Sequence, residues 1–279
     1  RFRFFIRDRG NRPFFSWLSD KTNTMPIFSA AGAEIYYETA GSGTPLVLIP
    51  GFASGLWSWF GQKDLEKDLQ VISYDPRGIG MSRSGTPGME LSLDSFSGDV
   101  LHILDELAIK KASILGTSFG GFVALAFALH FPERVDKLIL ACTTAGGPEH
   151  VSPDIEILRS FTRNPEYTVG EQIRRFFRPA FTEEFNTEHA DIVEKVCRLR
   201  EENEVDEETY VAQLRTAFAF DVSSQLGHIE QKALVITGDR DKLVPMQNSQ
   251  NLAAKLPNAT LKIIEGGSHM IFVENATEF

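Results

Sequence analysis

Between Ala33 and Cys142, short apolar runs alternate with stretches of helical spacing. Ala33–Thr39 reads as a strand and runs into a Gly-Ser-Gly turn at Gly41–Gly43. Leu46–Ile49 is wholly apolar and Val71–Tyr74 nearly so, the pattern of strands buried on both faces. Phe96–Leu107 has helical spacing, and Ala112–Leu115 is again an apolar run. Gly120–His130 reads as a helix of small residues, and Leu138–Cys142 as a further strand. This alternation predicts an α/β fold, a mostly parallel sheet with helices on both faces.

The alternation stops at about residue 145 and resumes with the strand Ala233–Thr237, the helix Ser249–Leu256 and a last strand, Leu261–Ile264. Residues 145–222 show helical patterns and no strand run. A structureless loop of that length inside a compact domain is unusual, so a helical insertion is expected. The predicted organisation is a core of residues 25–144 and 223–279 with a helical cap at 145–222. No internal repeat or low-complexity tract is present.

Composition narrows the class. With 279 residues, 42% hydrophobic and 24% charged, the chain supports a sizeable core and a solvated surface. No apolar run reaches the length of a transmembrane helix. A net charge of −10 argues against binding nucleic acid through its phosphates. Cys142 and Cys197 form no metal-ligand or redox spacing, so neither a disulfide framework nor a zinc site is expected. A cytoplasmic location is expected, and the oligomeric state is not legible.

Charge is uneven along the chain. Residues 1–24 hold six basic and two acidic side chains with five Phe and one Trp, a segment of +4 before a body of −14. The segment lacks the apolar centre of a secretory signal. It reads as an extension dispensable to the chemistry, the alternative being an arm that touches a membrane surface or a partner. Within the insertion, Arg159, Arg163, Arg174, Arg175 and Arg178 precede a stretch, 183–208, with eleven acids against Lys195, Arg198 and Arg200. A solvated helix face is the expected reading, with substrate charge selection as the alternative.

Gly116-Thr117-Ser118-Phe119-Gly120 matches G-x-S-x-G between an apolar strand and a small-residue helix. That setting suits a nucleophile elbow, in which Ser118 projects from a strained turn at the top of the sheet. A serine hydroxyl needs a base. Of His102, His130, His150, His189, His228 and His269, only His269 lies in a loop directly after a strand near the C-terminus. The third member is a carboxylate that fixes the imidazole tautomer. Asp239 and Asp241 compete in the loop after Ala233–Thr237, with Asp241 favoured and Asp239 read as a turn residue or a partner of Arg240. The loop Cys142-Thr143-Thr144-Ala145 offers no carboxylate. The oxyanion requires backbone donors, for which Phe119 N–H and Phe52 N–H, in the Pro50-Gly51-Phe52 loop, are the candidates. Phe52, Phe119 and Met270 adjoin these positions and are expected as apolar walls of the substrate site.

These residues, with LVLIPGF at 46–52, YDPRGIGMS at 74–82, GTSFGG at 116–121, ALVITGDRDKLVP at 233–245 and GGSHMIFVE at 266–274, resemble the α/β-hydrolase superfamily, in its esterase and lactonase-like branch with a helical cap. The resemblance runs from about Met25 to Phe279. It implies a serine hydrolase acting on a small ester, lactone or thioester through an acyl-enzyme, without a metal or organic cofactor. It implies a structural turn at Asp75-Pro76-Arg77-Gly78 and no catalytic role for Arg77. Trp59 matches a family aromatic after the oxyanion loop. Three features depart from the pattern. Pro50 stands where the family often has His, Lys232-Ala233 replaces a Pro before the seventh strand, and the family usually continues beyond this chain's last residue into a final helix. Ser118 argues against the haloalkane dehalogenases and epoxide hydrolases of this fold, which use Asp at the elbow. Carbon–carbon bond hydrolases and cofactor-free perhydrolases share the triad, and some members of the superfamily are non-enzymatic ligand receptors.

Overall fold

The computed structural model describes residues 27–30, 32–84, 91–203 and 205–279. The N-terminal extension lies outside them. Eight strands form one sheet among the described residues: β1 (Ile27–Ala30), β2 (Ala33–Ala40), β3 (Thr44–Ile49), β4 (Leu69–Tyr74), β5 (Ala112–Thr117), β6 (Val135–Ala141), β7 (Lys232–Gly238) and β8 (Ala259–Ile264). Their order is β1-β2-β4-β3-β5-β6-β7-β8. β1 and β2 pair antiparallel, β2 joins β4 antiparallel, and every pair from β4 through β8 is parallel.

The apolar runs become the central strands for the expected reason. In β3, Val47 and Ile49 enter one hydrophobic cluster while Leu46 and Leu48 enter another, so alternate side chains meet covering layers on opposite faces. β1 was not expected. It is a four-residue strand at the sheet edge, with too few residues for a period to show.

Helix α1 (Leu93–Glu106) starts at a capping box in which the Ser92 and Ser95 side chains each bond the other residue's backbone N–H. Its inner face buries Phe96, Val100 and Ile103. Helix α2 (Phe119–His130) is buried along nearly its whole length, as its apolar, small-residue sequence requires. Between β6 and β7 run α3 (Ile155–Ser160), α4 (Val169–Phe177), α5 (Glu183–Glu188), α6 (Ala190–Glu202) and α7 (Glu207–Ala219), where a helical insert was expected. Helix α8 (Gln247–Lys255) connects β7 to β8, and α9 (Ile271–Glu274) follows the last strand.

The insert is joined to the sheet by a continuous apolar layer. Ile173, Phe177, Val196 and Cys197 of the insert pack in one cluster with Trp57, Leu115, Leu243 and Met270. The charge halves of the insert are tied to each other as well. Arg174 on α4 bonds Glu194 and Glu201 on α6, the latter at 2.7 Å, and Arg163 pairs with Glu207. The polarity of the sequence thus supplies contacts between successive elements of the insert in addition to solvated surface.

Candidate active site

The elbow is built by close approach of backbones. Ser118 sits between β5 and α2 at φ 54°, ψ −121°, a conformation L-residues rarely hold. It is fixed from both sides. Its N–H donates to Ala141 O at 2.9 Å, and its carbonyl accepts from Thr143 Oγ1 at 2.8 Å. A Cβ on Gly116 would lie 2.2 Å from Gly120 O, and one on Gly120 would lie 2.2 Å from Ile49 O. The glycines therefore let α2 turn back over β5 and against the end of β3. Ser118 itself is only half-buried, although its neighbours Thr117 and Phe119 are buried.

The loop after β3 reaches the nucleophile position. A Cβ on Gly51 would stand 3.4 Å from Ser118 Cβ, which places Pro50-Gly51-Phe52 beside the elbow. The Phe52 and Phe119 N–H groups donate to no other group among the described residues. For Phe119 the reason is its place as the first residue of α2, where N–H groups lack intrahelical acceptors. The next residue of the loop, Ala53, is held in the left-handed region at φ 50°. Its N–H donates 2.7 Å to Oε1 of Gln213, a buried side chain on α7.

His269 and Asp241 meet from the loops after β8 and β7. His269 Nδ1 lies 2.8 Å from Asp241 Oδ2, and both side chains are buried. The other carboxylate oxygen, Oδ1, accepts the N–H groups of Leu243 at 2.9 Å and Val244 at 2.8 Å. These bonds fix the carboxylate plane toward the imidazole. Asp239 is turned elsewhere and accepts the Gly266 N–H at 2.7 Å, a bond that stabilises the β8 loop. Arg240 pairs with Glu184 of the insert at 3.2 Å. Between the elbow and this pair stands Cys142, whose Sγ lies within 4.8 Å of the Asp241 and His269 ligand atoms. Burial pushes its thiol well up, so it sits there protonated. Ser118 and His269 share no hydrogen bond.

Arg77 sits in the turn after β4, fully buried and bonded to Asp99 of α1 through Nε at 2.8 Å. It braces the turn to the helix. Of the three expected apolar walls, Phe52 lines a cavity of about 600 Å³ between the oxyanion loop and the insert. The Phe119 ring packs edge-on against Phe96 at 5.6 Å and against Phe52 at 6.5 Å. Met270 lies in the apolar layer beneath the insert, and its N–H donates to Ala180 O at 3.0 Å. Gln213 and Thr143 were not singled out from sequence. The visible signal for Gln213 is its spacing from Thr209 and Tyr210, which places a polar residue on the buried face of α7.

The parallel sheet, the helical insert and a serine on a strained strand-to-helix turn define a hydrolase of the α/β type. The family model described as alpha/beta hydrolase fold matches residues 44–276, and the chain belongs to that family. It is 29% identical over 266 residues to 3-oxoadipate enol-lactonase 2 of Acinetobacter baylyi, covering 91% of this chain and 96% of the relative. It is 27% identical over 263 residues to the 2-hydroxymuconate semialdehyde hydrolase of a Pseudomonas species, covering 90% and 89%. Among solved structures, the enol-lactonase of Burkholderia xenovorans LB400 superposes with a TM-score of 0.79 at 25% identity, over 91% of this chain and 96% of that one. None of the helices among the described residues is long and apolar enough to cross a membrane.

Proposed function

We propose that the protein is a serine hydrolase that cleaves a carboxylic ester, lactone or thioester of a small substrate through an acyl-enzyme. Ser118 Oγ attacks the carbonyl while His269 takes its proton. Asp241 holds His269 Nδ1–H, which leaves Nε2 as the base and stabilises the imidazolium that forms. The tetrahedral oxyanion takes the free N–H groups of Phe52 and Phe119. His269 then returns the proton to the leaving group, and a water attacks the acyl-enzyme with His269 again as base. The helical insert at 145–222 serves as the cap over this site. The observation that carries the reading is the buried 2.8 Å contact between His269 Nδ1 and a carboxylate whose other oxygen is held by two amides. No step requires a metal or an organic cofactor.

The test is hydrolysis of p-nitrophenyl butyrate. Wild type is expected to turn it over, and Ser118→Ala to lose about a thousandfold or more in kcat. Equal rates in the two proteins would sink the mechanism. A second reading, carbon–carbon bond hydrolysis with the same triad, is favoured by the similarity to the 2-hydroxymuconate semialdehyde hydrolase. That compound offered beside the ester separates the two, since the better substrate by kcat/KM names the bond.

A further inference from the structure

Strand β6 ends at Ala141, and the next residue leaves the sheet through a strained turn. Cys142 is fully buried, its N–H donates to Ile236 O at 2.9 Å, and its φ is 49°. A non-glycine residue rarely holds that conformation unless its surroundings impose it. The turn carries the chain from Ala141, whose carbonyl accepts the Ser118 N–H, to Thr143, whose hydroxyl donates to the Ser118 carbonyl at 2.8 Å. One short segment thus holds both backbone groups of Ser118.

Thr143 is itself fully buried, and its side chain lies against the first turn of α2. A Cβ on Gly121 would stand 2.4 Å from Thr143 Oγ1 and 2.6 Å from Thr143 Cβ and Cγ2. Helix and side chain therefore approach more closely than a residue other than glycine allows at that position. The Ser118 carbonyl accepts a second bond, from the Gly121 N–H at 2.9 Å. A carbonyl oxygen has two acceptor sites, and here both are filled.

That carbonyl belongs to the same peptide unit as the Phe119 N–H. The unit is planar and trans, so its oxygen and its hydrogen point in opposite directions. A bond that fixes the oxygen fixes the direction of the N–H, which donates to nothing among the described residues. Hydrogen bonds to the oxygen also polarise the unit and make its N–H a stronger donor. Ser118 holds φ 54° and ψ −121°, so relaxation of that strain would rotate this same peptide.

We propose that Thr143 is a positioning residue of the hydrolase, which through the Ser118 carbonyl aims and polarises the Phe119 N–H that receives the oxyanion. This rests on the serine-hydrolase reading above. The Gly121 N–H holds the carbonyl oxygen from within α2, and the Thr143 hydroxyl holds it from the end of β6. The hydroxyl therefore fixes the start of the helix against the sheet.

The experiment measures kcat and KM for p-nitrophenyl butyrate per active site, with sites counted by fluorophosphonate labelling. Thr143→Val keeps the side-chain shape and removes the hydroxyl. Loss of a whole oxyanion donor costs about a hundredfold to a thousandfold in kcat, so a donor left in place but misaimed should cost about tenfold. KM should change less than about twofold, because the substrate carbonyl carries no full charge in the ground state. Thr143→Ser should stay within about threefold of wild type, and Thr143→Ala should match Thr143→Val. The Ser and Ala variants lose the same methyl, so their difference isolates the hydroxyl even where Thr143→Val fails to fold. A trifluoromethyl ketone gives a readout that a purely structural role does not move. Ser118 adds to it to form a tetrahedral oxyanion, so its inhibition constant should weaken in Thr143→Val by the same factor as kcat/KM. The acid limb of kcat/KM against pH should stay in place, and a shift in it would move the effect to His269 and overturn the proposal. A kcat in Thr143→Val within about twofold of wild type, a loss that Thr143→Ser does not rescue, or a loss without weaker ketone binding overturns the assignment of Thr143 and leaves the hydrolase reading standing. Turnover that Ser118→Ala leaves unchanged overturns both.

Discussion

Asp239 and Asp241 stand two residues apart after β7, yet their surroundings assign them different work. Asp241 is buried with one oxygen on His269 and the other on two amides, whereas Asp239 is exposed and braces the Gly266 N–H. Asp241→Asn would present an amide of nearly the same shape that no longer fixes the imidazole tautomer. A loss of about a thousandfold to ten-thousandfold in kcat is expected on p-nitrophenyl butyrate. Asp239→Asn keeps an acceptor for Gly266, and a change of less than about threefold is expected. A large loss at 239 with little at 241 would reverse the roles. These candidates were legible because a serine turn, an acid and a histidine follow in chain order after β5, β7 and β8. Thr143 was legible only as part of a loop without a carboxylate. That its hydroxyl meets the Ser118 carbonyl depends on the turn at Cys142, which the apolar pattern does not supply.

The elements that place the two proposed oxyanion donors come from both sides of the site. α2 supplies Phe119 N–H at its first turn, and the β3 loop supplies Phe52 N–H. That loop has bonds of its own from Ser54 to Gly51 O and Phe52 O, but Ala53 is held at positive φ and its N–H depends on Gln213 of α7. The insert therefore helps to hold the β3 loop in place. Gln213→Leu would leave the buried Ala53 N–H without a partner, at a cost of about 1–3 kcal/mol. Because the loop acts on charge that develops in the transition state, kcat should fall by about tenfold with KM changed less than about twofold. Steady-state kinetics beside a urea titration reads both. A variant destabilised as expected but with unaltered kcat would show that Gln213 serves stability alone. The central strands and α2 were legible from sequence because burial on every side leaves continuous apolar runs. The contact from α7 to the β3 loop was not, because it joins residues 160 positions apart and neither partner shows it alone.

At the scale of the whole molecule, the turn after β4 ties the sheet, the first helix and the segment after β3 through buried charges. Asp75 accepts the Leu56 N–H at 3.0 Å through Oδ1 and the Met81 N–H at 2.9 Å through Oδ2. Burial outweighs these bonds and pushes its carboxyl up to about 6 from 3.8. The folded protein therefore binds the Asp75 proton more tightly than the unfolded chain does. The stability from this group is fully present below about pH 4 and is lost as the pH rises through about 6. A shift of this size corresponds to about 3 kcal/mol. The opposite sign is usual for paired carboxylates, so the Asp75 contribution should stand out when isolated. Asp75→Asn removes the titration while keeping one acceptor, and it shifts the absolute stability by an amount independent of pH. Urea unfolding of both proteins from pH 4 to pH 7 should show wild type losing about 3 kcal/mol relative to the variant across that interval. Parallel profiles would mean that Asp75 is already ionised in the fold at pH 4, and that its two amide bonds, rather than its burial, decide its charge.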